Sequence, residues 1–188
     1  MAGHNHSLWH RCQRLARHRW ADGALTRSFP ADLIARLTER VATSEQLHTG
    51  QIRICVEAGL PLSYLWRGAS ARERAVAQFG KLQVWDTEGN NGVLIYLLQA
   101  EHAIEIVADR GLAGAVPADT WQRMVAAMGD AFRAGRHEEG LARAISEVSA
   151  LLQQHFPASP AGATGAAGST SKRPGNELPD EPIIGRRG

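Results

Sequence analysis

Two apolar runs that lie close together in the sequence constrain this chain more than any of its other features. They span residues 93–98 and 103–108, and both are rich in β-branched or large apolar side chains. Runs of this length and composition are typical of strands. Residues 99–102 leave room only for a turn, so the two strands should pair as an antiparallel hairpin. The sequence therefore predicts a β-hairpin as the centre of the fold.

A strand and a helix upstream of the hairpin complete the predicted sheet. Residues 51–58 alternate between apolar and polar side chains, as a strand does. Ser70 and Glu73 then form a capping box at the start of a helix with an apolar stripe. A right-handed crossover through this helix makes residues 51–58 parallel to residues 93–98. The predicted fold class is α/β, a compact sandwich of a small mixed β-sheet (strand–helix–β-hairpin) flanked by helices.

The flanking helices are indicated by prolines and by apolar residues at helical spacing. Pro30 marks the start of one helix, and Pro117 marks the start of another. A further helix follows Gly135 and ends near Phe156. The loop at residues 64–66 is unusually apolar; we expect it to tuck under the domain, and the alternative is that it forms an exposed anchor.

Changes in composition divide the chain into three parts. Residues 1–27 form a basic amphipathic N-terminal segment, in which Asp22 is the first acid. We expect its helix to contribute to the surface and not to the core; the alternative is that its apolar stripe docks on the domain. Residues 28–156 form the α/β domain. Residues 157–188, rich in Pro, Gly, Ala and Ser, are predicted to be a disordered tail. We expect residues 178–184 to be part of this linker; the alternative is a short docking peptide.

Charge and cysteine content limit the classes of function. The net charge of +2 is too small to indicate a nucleic-acid-binding protein, and no recognised motif accompanies the basic N-terminal segment. The two cysteines lack metal-ligand spacing. No apolar run reaches the length of about 18 residues that spans a bilayer. We therefore expect a soluble cytoplasmic protein that does not bind nucleic acid.

A polar loop before the hairpin is the candidate functional site. Residues 86–92 combine acids, amides and glycines, and the predicted hairpin brings Asp109 back beside them. Oxygen-rich loops of this kind bind hard divalent cations. The alternative is a plain turn with a hydrated acidic rim. The topology also places Glu45 and His48 at this edge of the sheet and Glu57 at the opposite edge. The candidate metal ligands are Asp86, Glu88, Asn90, Asn91 and Asp109.

Four motifs together resemble one known family. They are E-x-x-H-x-G-Q-I at residues 45–52, S-A-R-E-R-A at residues 70–75, V-W-D-T-E-G-N-N-G-V-L-I-Y at residues 84–96 and E-I-V-A-D-R-G at residues 105–111. The chain resembles the TPM domain over residues 28–156, in the form of its short bacterial branch without signal peptide or membrane anchor. The resemblance implies an α/β sandwich with calcium-type sites, which by position fall on the five candidate ligands.

The resemblance also implies two competing functions. A plant thylakoid-lumen relative is associated with acid phosphatase activity and photosystem repair, so one candidate is a metal-dependent phosphomonoesterase. No P-loop, C-x5-R, D-x-D or G-x-S-x-G pattern supports that activity in this chain. We therefore expect a module that binds a divalent cation, Ca2+ in preference to Mg2+. It would act as an accessory or assembly factor with a membrane-associated protein partner, and its N-terminal helix could contact an anionic membrane surface.

Overall fold

The computed structural model describes residues 14–18, 21, 23, 25–158 and 177–185, in which four strands form a single sheet. The strand order is β3-β2-β1-β4. The strands are β1 (Gln51–Glu57), β2 (Gly92–Leu98), β3 (Ala103–Ala108) and β4 (Ile183–Gly185).

The first three strands in the sequence confirm the predicted topology. β2 and β3 form an antiparallel hairpin whose register pairs Val93 with Ala108 and Leu98 with Ala103. A 3-10 turn, Gln99–Glu101, joins them. β1 runs parallel to β2 along its whole length, as the crossover requires.

Between residues 31 and 155, six helices surround the sheet. They are α1 (Ala31–Ser44), α2 (Leu62–Trp66), α3 (Ala71–Lys81), α4 (Arg110–Ala113), α5 (Ala118–Arg133) and α6 (His137–His155). The capping box at Ser70 and Glu73 is present at the start of α3. Among these helices, none has both the length and the apolar composition needed to cross a bilayer.

The two faces of the sheet are covered by different helices. Ile52, Ile54 and Val56 alternate with Cys55 along β1 and face a core built with α1, α5 and α6. Cys55 belongs to a second apolar cluster on the other face, where α3 packs. A mixed sheet between two helical layers confirms the predicted α/β fold class.

The apolar segment at residues 62–66 is a short helix and not a loop. Leu65 is buried, but Trp66 is 78% exposed. The expectation that this segment tucks under the domain is therefore wrong for Trp66, because one turn of helix presents only one side to the protein.

The described part of the N-terminal segment packs on the domain. Residues 14–18 and 25–28 are helical, and His18, Ala21 and Leu25 are buried. The backbone N–H of Leu60 donates to His18 Nδ1 at 2.9 Å, so Nε2 carries the proton and donates to Glu101 Oε1 at 2.9 Å. The prediction that this segment forms only surface is wrong for these residues, and residues 1–13 lie outside the described chain.

Part of the predicted tail also packs on the domain. β4 runs parallel to β1 at its free edge and pairs Ile183 with Cys55 and Gly185 with Glu57. Leu178 is 7% exposed. The prediction of a disordered tail is therefore wrong for residues 177–185, because an unpaired strand edge and a buried leucine stabilise them. Residues 159–176 and 186–188 lie outside the described chain.

Candidate functional site

The loop before β2 is held against the end of β3 by backbone contacts. The N–H of Asp109 donates to the carbonyl of Gly92 at 2.8 Å, and the N–H of Gly111 donates to that of Asn90 at 3.0 Å. Arg110 Nε donates to Asn90 Oδ1 at 2.9 Å. The hairpin thus brings Asp109 to residues 90–92, as the sequence predicted.

Two glycines permit this close approach. A side chain at Gly92 would collide with the carbonyl of Val84, and a Cβ at Gly111 would lie 2.6 Å from the carbonyl oxygen of Asn90. Asn90 itself adopts the left-handed region with φ of 50°. The glycines of the motif therefore serve to pack one stretch of backbone against another.

Asn91 and Asp109 are the buried polar side chains of this site. Asn91 is 1% exposed and donates from Nδ2 to Thr49 Oγ1 at 3.3 Å. Asp109 is 8% exposed, and its Oδ1 accepts from the N–H of Arg110 at 2.7 Å at the start of α4. Among the described residues, Asn91 Oδ1 and Asp109 Oδ2 find no hydrogen-bond partner. Each is an oxygen available to a ligand.

The remaining candidate ligands are placed differently. Asp86 and Glu88 lie on the exposed side of the loop, and Asn90 Oδ1 is occupied by Arg110. No cluster of three His, Cys, Asp or Glu side chains suited to a metal occurs in the part of the chain that the structure describes. A cation here would therefore depend on amide oxygens as well as carboxylates.

His48 lies on the neighbouring loop at the same edge of the sheet. It is 2% exposed, and its Nδ1 contacts the carbonyl of Gly50 at 3.0 Å, a contact in which the ring must donate. Nε2 is then the bare nitrogen, and it has no partner among the described residues. Burial lowers the pKa of His48, although the hydrogen bond to Gly50 opposes that shift. His48 is thus a neutral imidazole with a free lone pair.

Glu45 is a half-buried acid of the same loop. Its Oε1 accepts from the backbone N–H of Ile52 at 2.8 Å. Burial raises its pKa to about 8; the hydrogen bond from Ile52 opposes this shift, and the nearby carboxylate of Asp180 adds to it. Glu45 therefore carries a proton in much of the neutral pH range.

A second polar cluster, which sequence reasoning missed, surrounds Glu57 at the opposite edge. Its Oε2 accepts from Arg74 Nε at 2.8 Å and from Tyr96 Oη at 2.7 Å. Its Oε1 accepts from Arg74 at 2.5 Å and from Gln78 at 2.6 Å. Burial opposes ionisation of Glu57, but these hydrogen bonds outweigh it and hold the pKa below its usual value. Both carboxylate oxygens are saturated, so the cluster holds α3 on the sheet and does not offer a ligand site.

Comparison with known proteins identifies the family and supports the fold. A family model described as the TPM domain matches residues 24–151, more than half of the chain. The chain belongs to the TPM domain family. The solved structures similar to this TPM domain include the NMR structure of the BA42 protein from the psychrophilic bacterium Bizionia argentinensis. That match has a TM-score of 0.66 and 23% identity, and it covers 84% of this chain and 95% of the other. At this identity the likeness concerns the fold alone. No curated protein matches the chain.

Proposed function

We propose that this TPM domain binds a divalent cation, Ca2+ in preference to Mg2+, where residues 86–92 meet Asp109. One observation carries the proposal: Asn91 Oδ1 and Asp109 Oδ2 are buried oxygens without a hydrogen-bond partner among the described residues. A buried polar atom left in this state costs about 1–3 kcal/mol. A cation at the loop would remove that cost.

The other acids of the loop support the choice of calcium. Asp86 and Glu88 add negative charge on the solvent side, where carboxylates can complete a shell shared with water. Calcium accepts six to eight oxygen ligands in irregular geometry, whereas magnesium requires a tight octahedron and retains its waters. Asn90 Oδ1 could bind the cation only if its hydrogen bond from Arg110 were broken.

The proposed role is that of an accessory or assembly module that acts with membrane-associated partners. A phosphoryl-transfer site needs cationic groups directed at the developing charge. Beside the loop, Arg110 is such a group, but its Nε is already bound to Asn90. Binding is therefore favoured over catalysis. The cytoplasmic location, and contact of the N-terminal segment with an anionic membrane, remain predictions.

Calorimetric titration tests the cation site. We expect the native protein to bind Ca2+ with measurable heat and Mg2+ more weakly, and we expect Asp109→Asn to abolish binding. Asparagine still accepts the N–H of Arg110, so α4 keeps its cap. Asp119→Asn, which removes an exposed carboxylate in the first turn of α5, is the matched control and should bind as the native protein does. Native protein that is silent toward millimolar Ca2+ would refute the site.

The same native and variant proteins test the alternative function, that of a metal-dependent acid phosphatase. What favours it is the guanidinium of Arg110 beside an acidic loop. Hydrolysis of a generic phosphomonoester should then require added cation and disappear in Asp109→Asn. Activity that persists in the presence of a chelator would separate hydrolysis from this site, and we expect no activity.

A further inference from the structure

Residues 177–185 lie along the edge of β1 and are recognised at both ends. At the start of β1, Gln51 Oε1 accepts the backbone N–H groups of Glu177 and Leu178, each at 3.0 Å. Leu178 is buried in the apolar cluster beneath α3. At the other end, Ile183 and Ile184 pair with β1, and the N–H of Ala58 donates to Gly185 at 3.2 Å. The edge of β1 therefore binds this segment through both its backbone and its side chains.

Charge complements the middle of this segment. Arg53 on β1 is 8% exposed, and its Nε and Nη1 have no hydrogen-bond partner among the described residues. Burial lowers the pKa of Arg53, and the negative charges of Asp180 and Glu181 counteract that shift. A buried guanidinium with unused donors therefore lies close to two acids of the segment.

The segment is joined to the domain by a long connection. The 18 residues between Ala158 and Glu177 are mostly Gly, Ala and Ser. Fully extended, a stretch of this length reaches about 60 Å. A covalent connection gives the segment a high effective concentration at the domain, whichever contacts hold it there. The edge of β1 must recognise the segment by its own contacts.

We propose that the edge of β1 is a docking groove for an extended acidic peptide of a partner protein, and that residues 177–185 occupy it as an intramolecular competitor. Addition of a strand to an open sheet edge is a common mode of peptide recognition, in which pockets for side chains give specificity. The partner segment would carry a leucine, then two acids, then two β-branched residues. The next residue of the partner segment would be glycine, because in this chain a Cβ at Gly185 would lie only 3.2 Å from Glu57 Cγ.

The first test uses the full chain and a fluorescent peptide of residues 177–185. Native protein should bind the peptide weakly, since its own segment occupies the groove. Leu178→Asp in the chain should expel that segment and raise the apparent affinity at least tenfold. Pro179→Ser, at an exposed position next to it, is the matched control and should behave as native protein does. Adding Gln51→Ala to the Leu178→Asp chain should reverse the gain.

Three results would overturn the proposal. One is a Leu178→Asp chain that keeps its near-ultraviolet circular dichroism and cooperative melting but does not bind the peptide. Another is a native dimer that Leu178→Asp abolishes while no external peptide binds, which would make a second copy the occupant. If Leu178→Asp unfolds the chain, a specific protease site placed between Gly168 and Ser169 replaces it. After cleavage, labelled peptide should exchange with the native segment. The third contrary result is a domain that unfolds when the segment is released, because the segment would then belong to the hydrophobic core.

Discussion

Glu45 shows how partial burial, assisted by a neighbouring carboxylate, can change the charge of a single residue at neutral pH. Burial raises its pKa to about 8, and Asp180 and Arg53 are the charged groups that face it. In an unfolded chain, Glu45 loses this proton near its usual pKa of 4.5. Between these two values the folded state holds a proton that the unfolded state has lost. This acid therefore makes folding less favourable as the pH rises from about 4.5 to 8.

We predict that Glu45→Gln reduces the dependence of stability on pH. Glutamine keeps an oxygen for the N–H of Ile52 and cannot ionise. Urea unfolding at pH 5 and pH 8 should show that the native protein loses more free energy of unfolding than the variant, by about 1.4 kcal/mol for each pH unit in which Glu45 ionises only in the unfolded state. The variant should lose less, and Glu39→Gln, an exposed acid on α1, should match the native protein. Equal slopes in native and Glu45→Gln protein would contradict the assignment.

At this scale the sequence identified some residues and missed others for a physical reason. Asn91 and Asp109 belong to a contiguous loop and a hairpin end, so topology alone placed them together. The cluster around Glu57 depends on which side of α3 faces the sheet. Arg74 and Gln78 are four residues apart and both reach Glu57, but apolar periodicity does not indicate the partner of a polar side chain.

At the scale of elements, the N-terminal segment is fixed by one buried imidazole. His18 is fully buried, and both of its ring nitrogens are engaged, by Leu60 and by Glu101. Arg14 Nε donates to the same Glu101 carboxylate at 2.6 Å. The hydrogen bonds therefore tie a basic helical segment to the loop after β1 and to the turn of the hairpin.

We predict that His18→Ala destabilises the protein by roughly 2–4 kcal/mol, because it leaves a cavity and unpaired polar groups. The N–H of Leu60 would lose its acceptor. Urea unfolding monitored by circular dichroism measures the change, with Arg17→Ala as the control at an exposed position of the same segment. A His18→Ala protein as stable as the native one would mean that the segment does not contribute to folding.

Strands and helices can be predicted from the sequence where an apolar pattern extends over enough residues to be recognised. The hairpin, the parallel crossover and the capped helix α3 each have a local pattern. β4 has only three residues, one of them glycine, and its pairing depends on the free edge of β1. Short pairings of this kind have no sequence period, so the composition of the segment indicates only a tail.

At the scale of the whole molecule, the proposed cation site predicts a change in melting temperature. A ligand that binds only the folded state at 100 times its dissociation constant stabilises it by about 2.7 kcal/mol. For a chain of this length that corresponds to a rise of roughly 5–10 °C. Calorimetry of the native protein with excess Ca2+ should show this rise, and Asp86→Asn with Asp109→Asn should remove it. The paired control, Asp119→Asn with Asp130→Asn, should retain it.

The contact between Glu88 and Glu177 has a consequence for the molecule as a whole. The backbone N–H of Glu88, inside the candidate cation loop, donates to the carboxylate of Glu177 at 3.1 Å. The first residue of the docked segment therefore adds a negative charge beside that loop. A bound cation changes the affinity of the groove for the segment by some factor. Thermodynamic linkage requires that the bound segment changes the affinity of the loop for the cation by the same factor. Removal of the segment would then weaken calcium binding, and chelation of calcium would loosen the segment.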